Sequence, residues 1–271
     1  MSRREISKAK QNEIIKKVPN LQPLRDKIRV LSPEIISTKF EPKSRIPIAF
    51  VCLNDSFSVL QEANYALGES FAHEVWYKEE TENPNELTAN YFMRYYSDDV
   101  ALRLYSASEH LANAIINFLK ISRKSMLRHR KKLSSVSVTV GKYLIRQRPK
   151  HPVTTSISKL VENPVWKDTI TYRDNWVHNQ PPLVSGLGVQ WQRKTRWTEI
   201  VKDGVVTGHF MEFGGSGDNP NISHEELRSI VAKASFAFVE TFESVMDCYL
   251  DILLKKGIVI NGNIVNVKLK Q

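Results

Sequence analysis

The sequence predicts a mainly α fold: a helical bundle of about four long helices, with a small β-hairpin insertion and a basic N-terminal extension. Three observations predict it. Apolar residues recur at three- and four-residue steps through most of the chain, Pro, Gly and Asn punctuate those runs, and one stretch near 189–213 alternates instead. With 271 residues, 41% of them apolar, the chain can enclose one large core, which excludes disorder and a mini-protein.

Residues 1–50 are basic and carry Pro19, Pro23, Pro33, Pro42 and Pro47, a spacing that allows only short helices and reads as a loosely attached extension. A helical domain over 51–271 follows. Phe57, Leu60, Ala63, Leu67, Phe71 and Val75 form the stripe of an amphipathic helix over 55–80, with Asp55 or Ser56 as N-cap and Asn83-Pro84-Asn85 as its close. A second helix begins near Glu86 and extends to about 121 on Leu104, Ala107, Leu111, Ala114, Ile115 and Phe118. Two long helices joined by so short a loop pack antiparallel.

A weaker helical stretch covers 134–148. Another covers 156–177, interrupted at Asn163-Pro164 and stopped by Pro181-Pro182. Two alternating runs within 189–213 meet at Asp203-Gly204, a turn dipeptide of β-hairpins. Ser223 and Glu226 make a capping box for a last helix whose buried stripe is Leu227, Ile230, Val231, Ala234, Phe238, Phe242, Val245, Tyr249 and Ile252, with Gly257 at its end. A short β tail near 258–267 turns at Asn261-Gly262 and is placed to dock beside the hairpin as one sheet.

The formal charge of +10 is unevenly spread. Residues 1–50 hold twelve Lys and Arg against five Asp and Glu, residues 51–121 hold four against eleven, and residues 122–150 hold ten against none. Within the last block, Arg123, Lys124, Arg128, Arg130, Lys131 and Lys132 form a candidate surface for RNA phosphates; the alternative is that they pair with the acidic 51–121 segment. Trp191, Trp197, Phe210 and Phe213, interleaved with Arg193, Lys194 and Arg196, can stack bases, though aromatics on a two-stranded ribbon more often cover core or a dimer contact.

Other chemistries are excluded. No run reaches the roughly 18 apolar residues of a membrane helix. The first residues lack an apolar leader, and the two cysteines, Cys52 and Cys248, lie far apart in apolar stretches, so a reducing cytoplasmic setting with free buried thiols is expected over a single long-range disulfide. His73-Glu74 and His224-Glu225 lack the second histidine of a zinc-protease helix, and no cysteine pair offers ligands; no metal and no cofactor are expected.

The segment that carries chemistry is Arg173-Asp174-Asn175-Trp176-Val177-His178. Asp174 and His178 are four apart, so on a helix they share a face and the carboxylate can orient the imidazole. Arg173 adds a planar donor fork suited to a phosphate. Tyr172 and Trp176 form an apolar opposite side that can anchor the helix. The ordinary alternative is a stabilising helix end, where a cationic imidazole meets the helix dipole.

Arg173, Asp174 and His178, set late in a helical bundle, resemble the Arg-x4-6-His motif of the HEPN (higher eukaryotes and prokaryotes nucleotide-binding) superfamily. The motif is three residues in six, and the hairpin, the basic arm and the tail fall outside the family's common core. The resemblance implies a bundle of about four helices that pairs into a homodimer and joins two motifs in a cleft. It implies a metal-independent endoribonuclease in which the RNA 2′-hydroxyl attacks the adjacent phosphate. His178 would then be general acid or base, Arg173 would stabilise phosphate charge and Asp174 would orient the histidine. Glu109, His110 and Asn175 are supporting candidates. RNA is the implied substrate, toxin or phage-defence effector the implied role, and a neutralising protein a further implied partner. The alternative from a different class is a non-catalytic helical module that binds nucleic acid or an acidic protein partner.

Overall fold

In the computed structural model, the described residues are 6–29, 31, 44–127, 136–178, 182–186, 195–213, 220–255, 258–261 and 264–267. Two short helices, α1 (Lys8–Lys17) and α2 (Gln22–Arg29), precede the long helix α3 (Arg45–Glu74), which a π-helical turn (Val75–Glu79) extends. The second long helix is α4 (Glu86–Phe118); then come α5 (Arg123–Leu127), α6 (Val136–Gln147), α7 (Pro152–Glu162) and α8 (Pro164–His178). A ribbon of β1 (Thr195–Lys202) and β2 (Val205–Phe213) leads to α9 (His224–Lys255), followed by β3 (Ile258–Asn261) and β4 (Ile264–Val267). The fold is mainly α with small two-stranded sheets.

Helix α3 starts at Arg45, ahead of the Asp55 start that its apolar spacing predicts. Ser44 is the cap, its side chain accepting the Ile46 N–H. Pro47 then lies in the first turn, where its missing N–H costs nothing, so it reads as a helix start and not as a breaker. The extra turns continue the core stripe with Ile46, Ala49, Phe50 and Leu53, all buried. The basic N-terminal segment also reaches the core through Leu21, Leu24, Ile28 and Leu31. Exposed pairs such as Lys10 with Glu79 at 2.7 Å and Lys27 with Asp247 at 2.6 Å add little in water; the apolar burial holds the segment.

Helices α3 and α4 lie side by side as the short 80–85 loop requires, and the buried Ser56 hydroxyl donates to the Ala107 carbonyl between them at 2.8 Å. Helix α9 fills the remaining side of the bundle against α4, α7 and α8. At its centre Phe238 stacks on Trp166, ring centroids 5.5 Å apart and nearly parallel, and meets Phe242 edge-on. Nearer its end Tyr249 packs on Phe118 and its hydroxyl donates to the Ile46 carbonyl at 3.1 Å.

The break at Asn163 is where the sequence puts it, and the Asn163 side chain accepts the Val165 N–H of α8 at 3.0 Å. Helix α7 starts at Pro152, earlier than expected, because His151 serves as N-cap: its Nδ1 accepts the Val153 N–H at 3.3 Å. That bond needs an unprotonated Nδ1. Burial lowers the His151 pKa below its ordinary 6.5, with Arg148 and Lys255 pushing the same way. A histidine whose folded pKa is depressed gives its full stability above the unfolded value and loses it as pH falls below 6.5 through the folded one. The wild-type melting temperature should therefore drop between pH 7.5 and 5 by about 2–4 °C more than that of His151→Asn, whose amide oxygen caps at both pH values; about 1 kcal/mol of capping is at stake.

The hairpin turns at Asp203 and Gly204, with φ of 52° and 77°, the paired left-handed conformations of a type I′ turn. Trp197 pairs with Met211, Glu199 with His209 and Val201 with Val206; Thr207 is the extra residue of a bulge. Residues 189–194 of the expected hairpin lie outside the described residues. The tail does not join this ribbon: among the described residues β3 pairs with β4 alone, as a separate sheet beside the end of α9. Cys52 and Cys248 are both free and half-buried, and burial raises both thiol pKa values. Among the described residues no helix is long and apolar enough to cross a membrane.

Candidate functional site

The site lies at the C-terminal end of α8, where it crosses α4. Two residues seat the helix. Tyr172 is buried and donates its hydroxyl to Asp98 Oδ1 at 2.5 Å, while the Trp176 indole N–H lies 3.3 Å from Asp98 Oδ2. Arg94, one turn before Asp98 on α4, donates its Nε to the same carboxylate at 3.3 Å. This face of α8, expected to be an apolar anchor, is therefore held by polar atoms as well as by ring burial. Burial pushes the Asp98 carboxyl above its ordinary range although the three donors pull it down, and burial beside Asp98 likewise raises the Tyr172 hydroxyl.

With α8 so fixed, Arg173 falls on the neighbouring face. Its guanidinium lies over the Tyr105 ring of α4, 3.7 Å from the centroid, a stacked cation–π contact. Its Nη1 donates to Asp174 Oδ1 at 2.9 Å, and the same Nη1 is 3.4 Å from His178 Nε2. The nitrogen carries two hydrogens and can serve both. Arg173 Nε is buried without an acceptor among the described residues. An orphan donor costs about 1–3 kcal/mol, so stacking and the Asp174 pair hold the guanidinium against a penalty.

The direct Asp174–His178 hydrogen bond expected from their spacing is not formed among the described residues; Arg173 stands between them. The reason is reach. The short aspartate is taken by the guanidinium beside it, and the long arginine extends on to the ring at the helix end. A bond from Nη1 to Nε2 leaves the imidazole lone pair facing the guanidinium. The side chains of Arg173, Asp174 and His178 run from mostly buried through half-exposed to exposed.

Glu109 does not meet the histidine in the described contacts. Its Oε1 accepts the Ser137 N–H and hydroxyl, both at 3.0 Å, tying α4 to the start of α6. It still bears on the site: after burial, Glu109 is the largest cause raising the Tyr105 hydroxyl pKa, with Arg173 opposing. His110 and Asn175 are half-buried on α4 and α8. Lys124 is exposed on α5, while Arg128, Arg130, Lys131 and Lys132, and the side chain of Arg123, lie outside the described residues.

The residue that sequence reasoning misses is Tyr105, the platform under Arg173. Its signal was a tyrosine one turn before Glu109 on the same helix, which is visible only once α4 and α8 are known to cross. Among the described residues no group of three or more His, Cys, Asp or Glu could hold a metal ion.

Fold and site together define a mainly helical protein in which the end of α8 sets Arg173 on a tyrosine platform beside the exposed His178. No family model matches the chain, and neither a curated protein nor a solved structure does.

Proposed function

We propose that the chain is a metal-independent endoribonuclease of HEPN type, with Arg173 and His178 as its reacting pair. One observation carries the reading: the Arg173 guanidinium is held flat on Tyr105 and tied by Asp174, within 3.4 Å of the exposed His178 ring. A restrained planar cation beside a solvent-facing imidazole suits a scissile phosphate entering from the helix end.

In the step proposed, the exposed His178 ring turns its lone pair from Arg173 to a 2′-hydroxyl and takes its proton, and the 2′-oxygen attacks phosphorus. Negative charge grows on the phosphate oxygens next to Arg173, and the 5′-oxygen leaves. The products are a 2′,3′-cyclic phosphate and a 5′-hydroxyl. The leaving oxygen needs a proton, which one imidazole that has just accepted one can deliver only after the bond breaks. The His178 of a second copy removes that constraint. Asp174 fixes the arginine in this scheme and not the histidine. The basic block at 122–150 would hold the flanking phosphates.

The test is cleavage of single-stranded RNA in excess EDTA, with product ends analysed. Cleavage that yields cyclic phosphate and vanishes when the scissile nucleotide is 2′-deoxy is the expected result. Cleavage of that 2′-deoxy substrate, or none of RNA, would overturn the proposal.

A further inference from the structure

Against one face of α9 the ends of α1 and α3 leave a cavity of about 290 Å³. Its lining comes from three helices: Lys17 is the last residue of α1, Phe71 lies in the last turn of α3, and the rest belong to the first half of α9. Glu225, Arg228, Ser229, Ala232, Lys233 and Phe236 recur there at three- and four-residue steps and so share a face. Ser229 and Ala232 are short, and the longer side chains around them leave the recess. Ligand pockets run from about 300 to 1,000 Å³, so this one suits a small molecule.

Arg228 is the fixed point of the lining. It is 8% exposed, and its guanidinium carbon lies 4.4 Å from the centre of the Phe71 ring. Its Nη1 lies 2.7 Å from Glu74 Oε2 and donates to the Ser70 carbonyl at 3.3 Å. Both contacts use that one nitrogen, so the Nε–Nη2 edge has no acceptor among the described residues. Such an edge matches the two oxygens of a carboxylate. The Lys17 ammonium lies 5.2 Å from the same ring, and neither it nor the exposed Lys233 pairs with a carboxylate among the described residues. Lysine stems laid over a ring are common. A buried guanidinium that lines a cavity and keeps a donor edge unused is not. The charge count sets the ligand's valence: Lys17, Arg228 and Lys233 face Glu225 and Glu74, which leaves one positive charge in surplus. One negative charge balances it, whereas a phosphate monoester brings nearly two beside two carboxylates. Phe236, 46% exposed, and Ala232 offer apolar surface to the rest of the ligand.

We propose that this cavity binds a small aromatic carboxylic acid, its carboxylate on Arg228 between the two lysines and its ring against Phe236 and Ala232. None of these residues belongs to the α8 site, and the inference does not rest on the ribonuclease reading. Calorimetric titration of the full chain with 2-naphthoate tests it. One molecule should bind per chain with a Kd below about 1 mM. The neutral 2-naphthamide and inorganic phosphate should each bind at least about tenfold more weakly, the first lacking the charge and the second the ring. Lys233→Glu reverses an exposed charge and Ser229→Phe fills the recess from an exposed position; each should weaken 2-naphthoate about tenfold or more at an unchanged melting temperature. Arg228→Lys, which keeps the charge opposite Glu74 and loses the fork, should do the same. Absence of saturable 2-naphthoate binding, equal binding of the amide or of phosphate, or wild-type affinity in both Lys233→Glu and Ser229→Phe would overturn the inference. So would displacement of the naphthoate by single-stranded RNA, which would make this face part of an RNA surface.

Discussion

His178→Ala protein, assayed beside the wild type in excess EDTA, is expected to cleave RNA about a hundredfold to ten-thousandfold more slowly. The range is what a positioned acid or base contributes, equivalent to about 3–5 kcal/mol of barrier. The substitution leaves the fold alone: the ring is exposed at the last residue of α8, and Arg173 keeps both Asp174 and its Tyr105 platform. Helix content and melting temperature should thus match the wild type, so that a loss of rate is a loss of chemistry. Arg173→Lys gives the second reading, because an ammonium preserves the charge but neither stacks flat nor presents a fork, and its rate should fall as well. Unchanged cleavage by His178→Ala would remove the mechanism.

Asp98→Ala is the substitution with the largest expected cost to stability. It removes one carboxylate that accepts from Tyr172, Trp176 and Arg94, so the buried Tyr172 hydroxyl loses its acceptor, while Arg94 loses its carboxylate and keeps the Pro182 carbonyl. Breaking such a buried pair from one side costs about 3–5 kcal/mol, or roughly 10 °C in melting temperature for a chain of this size. The pH dependence has a definite sign. Burial raises the Asp98 pKa above its ordinary 3.8, so the fold favours the protonated acid, and the stability this residue contributes declines as pH rises from 3.8 through the folded value. The loss in Asp98→Ala should therefore be somewhat smaller at pH 7 than at pH 4, measured by chemical denaturation at each. Asp98→Asn, which keeps an acceptor, should recover part of the loss at both. An alanine variant as stable as the wild type would show that α8 is seated by apolar burial alone.

What the sequence made legible follows from how local each signal is. Ser223 with Glu226, Asn163-Pro164 and Asp203-Gly204 act within one turn of themselves, and each marks a boundary or turn found in the fold. Prolines misled where position decides their meaning: Pro47 in the first turn of α3 and Pro152 in the first turn of α7 start helices that were expected to begin later. At the site, spacing put Arg173, Asp174 and His178 on one helix end but could not say which pairs with which. That depends on side-chain reach and on Tyr105, a residue from another helix. Asp98 was illegible for the same reason, since an aspartate in a helix is ordinarily exposed and nothing within α4 marks this one as buried. The β3–β4 pair was legible in Asn261-Gly262 between two β-branched runs; that it stays apart from the β1–β2 ribbon was not, because strand propensity does not choose a partner.

The Tyr249–Ile46 hydrogen bond joins positions 203 residues apart. At a synthesis rate of about 5–20 residues per second, roughly 10–40 s pass between the emergence of the first and that of the second. Through that interval the core faces of α3 and α4 have each other but not α9, and their remaining apolar surface is open to solvent. The protein is thus built to mature late, when its last long helix is released, and a ribosome stalled before α9 would hold a half-closed bundle with the qualities of a chaperone client.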